Sequence, residues 1–425
     1  MTLLLLGFFA MLIAGMPIAF ALAVPVVFYL LLNGHPPIMA IVQQMYTATD
    51  SFPLLAIPFF LLAGELMTRA NLTGAIVNFS QASIGWIRGG LAHANVLASM
   101  LFAGISGSAI ADSVAIGKVM IPAMEKAGFD RRDAAAITAS SSVIGPIIPP
   151  SIPMIILGST VGISISGLFA AGIVPGVLLG FGLMGVSYLV NRRNNAVASI
   201  PFNLRYMATT FFRAVIPLTL PVILIGGILG GIFTPTEAGA VAVAYALIIG
   251  LIVYRSLSIQ ELWEALLATV KGTCMIMLIV AAANPFSWLL SVNQMPQTVA
   301  AFLVGISDNP IVILLLINLM LLVAGMFLET TANLLILGPI LIPAGAAVGL
   351  DPLHLGTVMI VNLVIGLITP PVGLCLFSTA AIAELRFGEL VQRIWPYLLV
   401  VMLVLILITV FPALTLTVPR WLGFI

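Results

Sequence analysis

Apolar stretches dominate the chain. They run at 3–14, 17–33, 52–68, 90–105, 108–124, 134–165 and 168–190, then at 215–232, 234–254, 271–290, 311–328, 331–348, 353–380 and 394–416. A helix needs about 20 apolar residues to cross the roughly 30 Å hydrocarbon core of a bilayer, so the pattern predicts an all-α polytopic membrane protein. Two segments between these stretches, 38–51 and 257–270, are more polar. The second sets Leu257, Leu262, Leu266 and Leu267 against Gln260, Glu261 and Glu264, the pattern of a helix lying in the membrane interface.

The pattern also repeats. A shift of 221 residues lays 103–150 on 324–371 without a gap, and 15 of the 48 positions are identical. The identities cluster in glycines and prolines, among them Gly104 on Gly325, Ile121-Pro122-Ala123 on Ile342-Pro343-Ala344, Val143-Ile144-Gly145 on Val364-Ile365-Gly366, and Pro149-Pro150 on Pro370-Pro371. The expected division is one repeat over 1–191, a cytoplasmic linker over 192–213 and a second repeat over 214–425. Each repeat is expected to hold an interfacial arm (38–51; 257–270), a re-entrant hairpin (90–124; 311–348) and a broken helix (134–165; 353–380).

Composition supports the membrane reading. Of 425 residues 62% are hydrophobic and 7% charged, where a soluble domain carries about 25% charged residues. A net charge of +1 argues against nucleic acid as a partner. Cys274 and Cys375, both inside apolar runs, read as small buried hydrophobes. The first basic residue is Arg69, so the apolar start lacks the positive region of a signal peptide and is expected to be mature membrane structure. Placing the N-terminus outside puts 13 basic residues, from Arg69 to Arg393, on the cytoplasmic side and leaves Arg420 outside, with Lys118 within the hairpin. The C-terminus then also falls outside. The loop at 125–133 carries Lys126, Arg131 and Arg132, whereas its copy at 346–354 carries no Lys or Arg. Opposite loop charge predicts inverted repeats, the plan of secondary transporters with a site near the bilayer midplane.

Chemistry is concentrated at two kinds of position. The hairpin tips are polar: Ser106-Gly107-Ser108 followed by Asp112, and Glu329-Thr330-Thr331 followed by Asn333. The broken helices carry Gly145 to Pro149-Pro150-Ser151 and Gly366 to Pro370-Pro371. Proline lacks an N–H and clashes with the preceding turn, so these prolines unwind a helix. Unwound backbone at membrane depth survives only where protein buries it or a wet cavity meets it. The freed carbonyls are hard ligands suited to Na⁺, and the N-termini of the half-helices favour anions. Ser106, Ser108, Ser140, Ser141 and Ser142 add hydroxyls to the first site, and Thr330, Thr331, Asn333 and Thr369 to the second. Asp112 is an intramembrane acid and therefore a functional candidate. It could bind Na⁺, carry a proton or pair with Lys118. Glu329, aligned with Ser108, is the second acidic candidate. Glu237 reads as a helix cap, and His93 and His354 as packing residues. The substrate is expected between the Ser106–Ser108 tip and 145–151, facing 329–333, with Ser106, Ser108, Asp112, Pro149, Pro150, Ser151, Glu329, Thr330 and Asn333 as its candidate contacts.

Through Gly107-Ser108-Ala109 with Asp112, the Ser140–Ser151 stretch around Pro149-Pro150, and Thr369-Pro370-Pro371-Val372-Gly373, the chain resembles the large membrane subunit (DctM-like) of tripartite ATP-independent periplasmic (TRAP) transporters. The resemblance spans essentially the whole chain. It implies a Na⁺-driven importer of organic acids in the bacterial inner membrane, of the sialic-acid or C4-dicarboxylate type and nearer the former, working by an elevator mechanism. It implies two partners, a separate small membrane subunit (DctQ-like) and a periplasmic substrate-binding protein. Carried onto this sequence, Na⁺ ligation falls to Ser106, Ser108, Gly145 and Ile148 in the first repeat and to Gly325, Gly366 and Thr369 in the second, with Ser142 added as a hydroxyl ligand. Na⁺ is the coupling ion and no cofactor is expected. Three other readings stand beside it: a stand-alone dicarboxylate/Na⁺ symporter, a passive channel, and an intramembrane serine protease built on Gly104-Ile105-Ser106-Gly107 with His93 or His354 as base.

Overall fold

A computed structural model describes residues 1–33, 36–191, 202–307 and 309–425. Arg192 and Arg193, and the linker as far as residue 201, lie outside the described residues. The described residues form helices and no strand. In chain order they are α1 (Thr2–Ile13), α2 (Ile18–Asn33), α3 (Met39–Thr49), α4 (Ala56–Arg69), α5 (Leu72–Ile84), α6 (Gly90–Ser106), α7 (Ala109–Lys126), α8 (Arg131–Ser142), α9 (Ile152–Val161), α10 (Ile165–Asn191), α11 (Leu204–Leu229), α12 (Pro235–Ile248), α13 (Ile259–Val292), α14 (Met295–Ile306), α15 (Pro310–Phe327), α16 (Thr330–Ala347), α17 (Pro352–Gly366), α18 (Leu374–Ile382), α19 (Phe387–Val410) and α20 (Ala413–Trp421). Among them, eight helical stretches are long and apolar enough to cross a membrane.

Both hairpins are present, α6–α7 and α15–α16, and both broken helices, α8/α9 and α17/α18. Local chemistry sets their ends. Ser108 caps α7, Ser151 caps α9, Glu329 caps α16, and Asp130 and Asp351 cap α8 and α17 with their carboxylates. Each cap satisfies amides that the first helical turn leaves without partners. Glu237 forms a capping box with Thr234 at the start of α12, the capping role its position suggests.

Reciprocal contacts reveal the symmetry. Gly117 of α7 lies against Ile382 of α18, and Gly338 of α16 lies against Leu157 and Val161 of α9. Positions 117 and 338, and 161 and 382, are equivalent under the 221-residue shift. A contact made twice with the roles exchanged is the mark of a two-fold axis. Thus the outer half of each broken helix packs on the hairpin of the other repeat. The two broken helices also run antiparallel. Arg131, at the start of α8, pairs with Glu384 just beyond the end of α18 at 3.9 Å. Leu353, at the start of α17, packs on Gly167 just beyond the end of α9.

Two layers result. The hairpins, the broken helices and α10, α19 and α20 form one packed body, while α1–α4 and α11–α13 form another. The short helices α5 and α14 precede the two hairpins and lie along them. Neither shows in the apolar pattern, because polar residues interrupt each run, Asn78, Ser80 and Gln81 in α5 and Gln297 and Thr298 in α14. Both start after a residue in the left-handed region, Asn71 (φ 58°) and Gln294 (φ 57°).

One boundary expected from the sequence is corrected. The polar segment 257–270 is not a separate arm, because it continues into the following span as the 34-residue α13. Its counterpart, α3, does end, at Asp50-Ser51-Phe52-Pro53 before α4. Proline explains the difference: Pro53 has Cys274 at the shifted position, so α13 keeps its amide at that point and runs on through it.

Candidate functional site

The first site forms where the α6–α7 tip meets the break between α8 and α9. Gly107, in the left-handed region (φ 59°), places the tip so close that a Cβ there would lie 2.6 Å from the Pro150 carbonyl oxygen. The caps of α7 and α9 therefore converge, as expected for Ser108 and Ser151. Asp112 is fully buried. The Ser106 hydroxyl donates to its Oδ1. Its Oδ2 has no hydrogen-bond partner and faces Gly145, where a Cβ would come within 2.3 Å. Ser106, Asp112 and Gly145 are thus brought together. The alternative pairing of Asp112 with Lys118 is corrected: Lys118 is exposed and forms no ion pair among the described residues. Six residues along a helix place two side chains on different faces.

Turns close the break from one side only. The Ile147 and Ile148 amides both donate to the Ile144 carbonyl, and the Ser151 hydroxyl donates to the Pro146 carbonyl at 2.5 Å. Among the described residues, no amide reaches the carbonyls of Gly145, Ile147 or Ile148. The hydroxyls of Ser140 and Ser142 donate to carbonyls of their own helix, Ala136 and Ala139. Ser141 instead joins a buried cluster in which Ser99 donates to Ser141, Ser141 to Asn95 Oδ1, and the Asn95 amide to Thr138. That cluster fastens α6 to α8. Pro149 and Pro150 are buried and joined by a cis peptide bond.

The second site repeats the plan with other groups. Gly325 of α15 crosses Gly366 so closely that a Cβ on Gly366 would lie 2.4 Å from the Gly325 carbonyl oxygen. Thr330 reaches the Leu363 carbonyl at 3.4 Å, and Thr369 donates to the Ile365 carbonyl at 2.8 Å. Asn333, at the position of Asp112, donates to the tip carbonyls of Leu328 (3.0 Å) and Ala324 (3.3 Å), leaving a buried, unpartnered Oδ1. Glu329 accepts from the Thr331 amide at 2.8 Å and its hydroxyl at 3.0 Å. The pair Pro370-Pro371 is also cis, and Pro371 is exposed. A cavity of about 290 Å³ opens beside it, lined by Gly325, Glu329, Gly366 and Gly373 together with Leu12 and Met16 of the α1–α2 corner. No residue of the first tip lines this cavity.

The donor set fits a hard monovalent cation at each break. Gly145 and Ile148 offer carbonyls without amide partners and Thr369 a hydroxyl, while the Gly366 carbonyl already accepts from the Thr369 amide; Asp112 Oδ2 and Asn333 Oδ1 are buried without partners among the described residues. Oxygen ligands of this kind suit hard cations rather than soft metals. Among the described residues no group of three His, Cys, Asp or Glu gathers as a transition-metal site. The protease arrangement is not formed. The Ser106 hydroxyl is engaged by Asp112, His93 bonds the Arg88 carbonyl at 3.2 Å and His354 bonds Thr415 at 2.7 Å. A nucleophilic serine needs a base within hydrogen-bond reach.

Comparison with known proteins agrees with this geometry. Residues 5–414 match the family model described as tripartite ATP-independent periplasmic transporter, DctM component. The sialic acid TRAP transporter large permease SiaM of Vibrio cholerae is 42% identical over 414 residues, covering 97% of either chain. The C4-dicarboxylate TRAP transporter large permease DctM of Pseudomonas aeruginosa is 41% identical, covering 93% of this chain and 92% of its own. The 2,3-diketo-L-gulonate large permease YiaN of Escherichia coli is 38% identical, with 96% of each chain covered. Among solved structures, the Alcanivorax borkumensis YdaH transporter superposes with a TM-score of 0.64 at 17% identity over 90% of this chain and 87% of its own, a likeness of fold. The repeat, the paired hairpins and breaks, and relatives matching end to end place this multi-span membrane protein in the DctM family of TRAP transporter large permeases.

Proposed function

We propose that this chain carries small organic acids inward across the bacterial inner membrane, with Na⁺ entering at the two breaks as the coupling ion. A DctQ-like small subunit and a periplasmic substrate-binding protein complete the transporter. Both termini face the periplasm in this reading, and the Arg131–Arg132 end faces the cytoplasm. One observation carries it: each hairpin tip abuts a helix break, and at the first break the carbonyls of Gly145, Ile147 and Ile148 have no amide partner among the described residues. Such oxygens are costly in lipid unless they serve a bound group. The substrates of the relatives, sialic acid and C4-dicarboxylates, are carboxylates, which the converging half-helix N-termini favour.

An elevator motion suits the two layers. The hairpin body and the scaffold of α1–α4 and α11–α13 are joined, among the described residues, by no ion pair and by two side-chain hydrogen bonds, Ser51–Ser159 and Ser287–Leu335. Apolar surfaces slide with little loss of directional bonding.

The experiment is uptake of radiolabelled N-acetylneuraminate and succinate into proteoliposomes holding the large and small subunits, with the cognate binding protein outside. Uptake that requires an inward Na⁺ gradient and the binding protein supports the reading. Uptake of equal rate in choline buffer removes Na⁺ coupling, and uptake without the binding protein favours the stand-alone symporter.

A further inference from the structure

A second polar cavity lies away from both hairpin–break sites. It holds about 290 Å³ and sits where scaffold helices α3 and α13 meet α9 and α16 of the hairpin body. Thr47, Asp50, Ser51, Ser159, Asn284 and Ser287 supply most of its polar wall. Both hydrogen bonds that join the two layers close across it, Ser51 to Ser159 at 2.8 Å and Ser287 to the Leu335 carbonyl at 2.9 Å. Asn284 is held in place by donating to the Gln44 carbonyl at 2.8 Å. A larger cavity of about 480 Å³ shares Ser51 and Ser159 and leads on past Ser164 and Ser166 to the turn at Thr234. The path therefore runs from the α9–α10 and α11–α12 turns to the seam between the layers.

We infer that this seam cavity is a transit site for a polyhydroxylated monocarboxylate, a sugar acid, between the outer face and the hairpin–break sites. The inference rests on the transporter reading above and names the substrate class. Hydroxyl and amide groups are costly to hold in a membrane protein unless water or a polar ligand meets them. These groups line a space of ligand size rather than a packed seam. Among the described residues, Asp50 is the only charged one lining either cavity, and no basic one does. A dicarboxylate gains no counter-charge here, and one of its two carboxylates must approach Asp50 in a medium that screens poorly. A sugar acid turns its hydroxyls to this wall and keeps its single carboxylate away. Ser51–Ser159 and Ser287–Leu335 are the bonds that part when the layers move, which opens the cavity to the sites beyond.

The test is thiol labelling in proteoliposomes with the small subunit present. Cys274→Ser removes the exposed native thiol, while buried Cys375 stays. Asn284→Cys, and separately Thr47→Cys on the rim, are treated with a water-soluble cationic methanethiosulfonate. Both should label. N-acetylneuraminate at about ten times its Kd should slow labelling about tenfold by mass action, and succinate at the same concentration should leave it unchanged. Three results overturn the inference: no labelling of either cysteine, equal rates with and without the sugar acid, or equal protection by succinate. None of these depends on Na⁺ coupling. A transporter that takes up substrate normally and fails here retains the proposed function and loses the transit site.

Discussion

The two hairpin–break sites share a backbone plan and differ in their side chains. At the first, a buried carboxylate fills the angle between tip and break: Asp112 accepts from Ser106 and presses on Gly145. At the second, the backbones of Gly325 and Gly366 touch directly, and the acid has moved to Glu329, where it caps α16 at the edge of an open cavity. The packing contacts between the repeats are duplicated position by position, as Gly117–Ile382 and Gly338–Val161 show. The groups at the tips are not. A duplicated module thus keeps its helix-to-helix contacts, which hold the two-fold together, while each tip is free to take up a different charge. The first site holds its acid buried in the angle between tip and break; the second holds an amide at that position and sets its acid at the open side.

The sharpest way to break this comparison is to add one methyl group at each crossing. Gly366→Ala would place its Cβ 2.4 Å from a backbone oxygen that cannot turn aside, whereas the atom nearest a Cβ on Gly145 is a side-chain oxygen. Gly366→Ala should cost about 3 kcal/mol or more, and Gly145→Ala less, toward the lower end of the 1–3 kcal/mol range for overpacking. Thermal unfolding in detergent reads the order, and a Gly145 variant less stable than the Gly366 variant would reverse the assignment of which crossing is rigid.

Exchanging the charges comes next. Asp112→Asn gives the first site the group found at the second and keeps its shape. Hydrogen bonds to charged groups contribute about 1.5–3 kcal/mol, so the Na⁺ concentration for half-maximal uptake should rise about tenfold or more. Asn333→Asp removes the donor to the tip carbonyls of Leu328 and Ala324 and sets a carboxylate against them, so it should lower the unfolding midpoint rather than act chiefly on the Na⁺ requirement. Equal effects of the two substitutions would mean the sites are equivalent after all.

The smallest effect lies at the loops. Asp130 caps α8 and also holds Arg132 and, more loosely, Arg393 at 3.5 Å. Asp351 caps α17 without a basic neighbour among the described ion pairs. Both Ala variants lose a cap, about 1 kcal/mol, and Asp130→Ala should lose slightly more. The hydrogen bond from Arg132 is the first cause holding the Asp130 carboxyl below its ordinary range. A depressed folded-state pKa adds stability that is present above the ordinary carboxylate range and is lost as pH falls through the depressed value. The gap between wild type and Asp130→Ala should therefore be steady at neutral pH and shrink only in acid. Unfolding midpoints from neutral pH down to about pH 2 would show it, and a gap that widens in acid contradicts the sign.

Much of this was legible in the chain itself. The lengths of the apolar runs, the prolines and glycines at fixed spacing and the opposite charge of the two copied loops were enough to name the hairpins, the breaks and the residues at them, because each rests on local chemistry: hydrophobic length, a missing amide, a capping oxygen. The helices α5 and α14 were not visible, because polar residues interrupt their apolar runs, and the joining of 257–270 to its span depended on an absent proline rather than on a present signal.

What only the tertiary structure decided were relations across the chain. The sequence names Asp112 and Lys118 six positions apart, yet folding turns Asp112 onto Ser106 and Gly145 and leaves Lys118 at the surface. It names two tips and two breaks, yet only the packing shows that the outer half of each broken helix lies on the other repeat's hairpin, and that Glu329 opens onto its own cavity rather than the first tip. Periodicity and spacing report what neighbours along the chain must do. Which buried oxygen faces which carbonyl is set by close packing among segments more than 200 residues apart, and no local pattern carries that information.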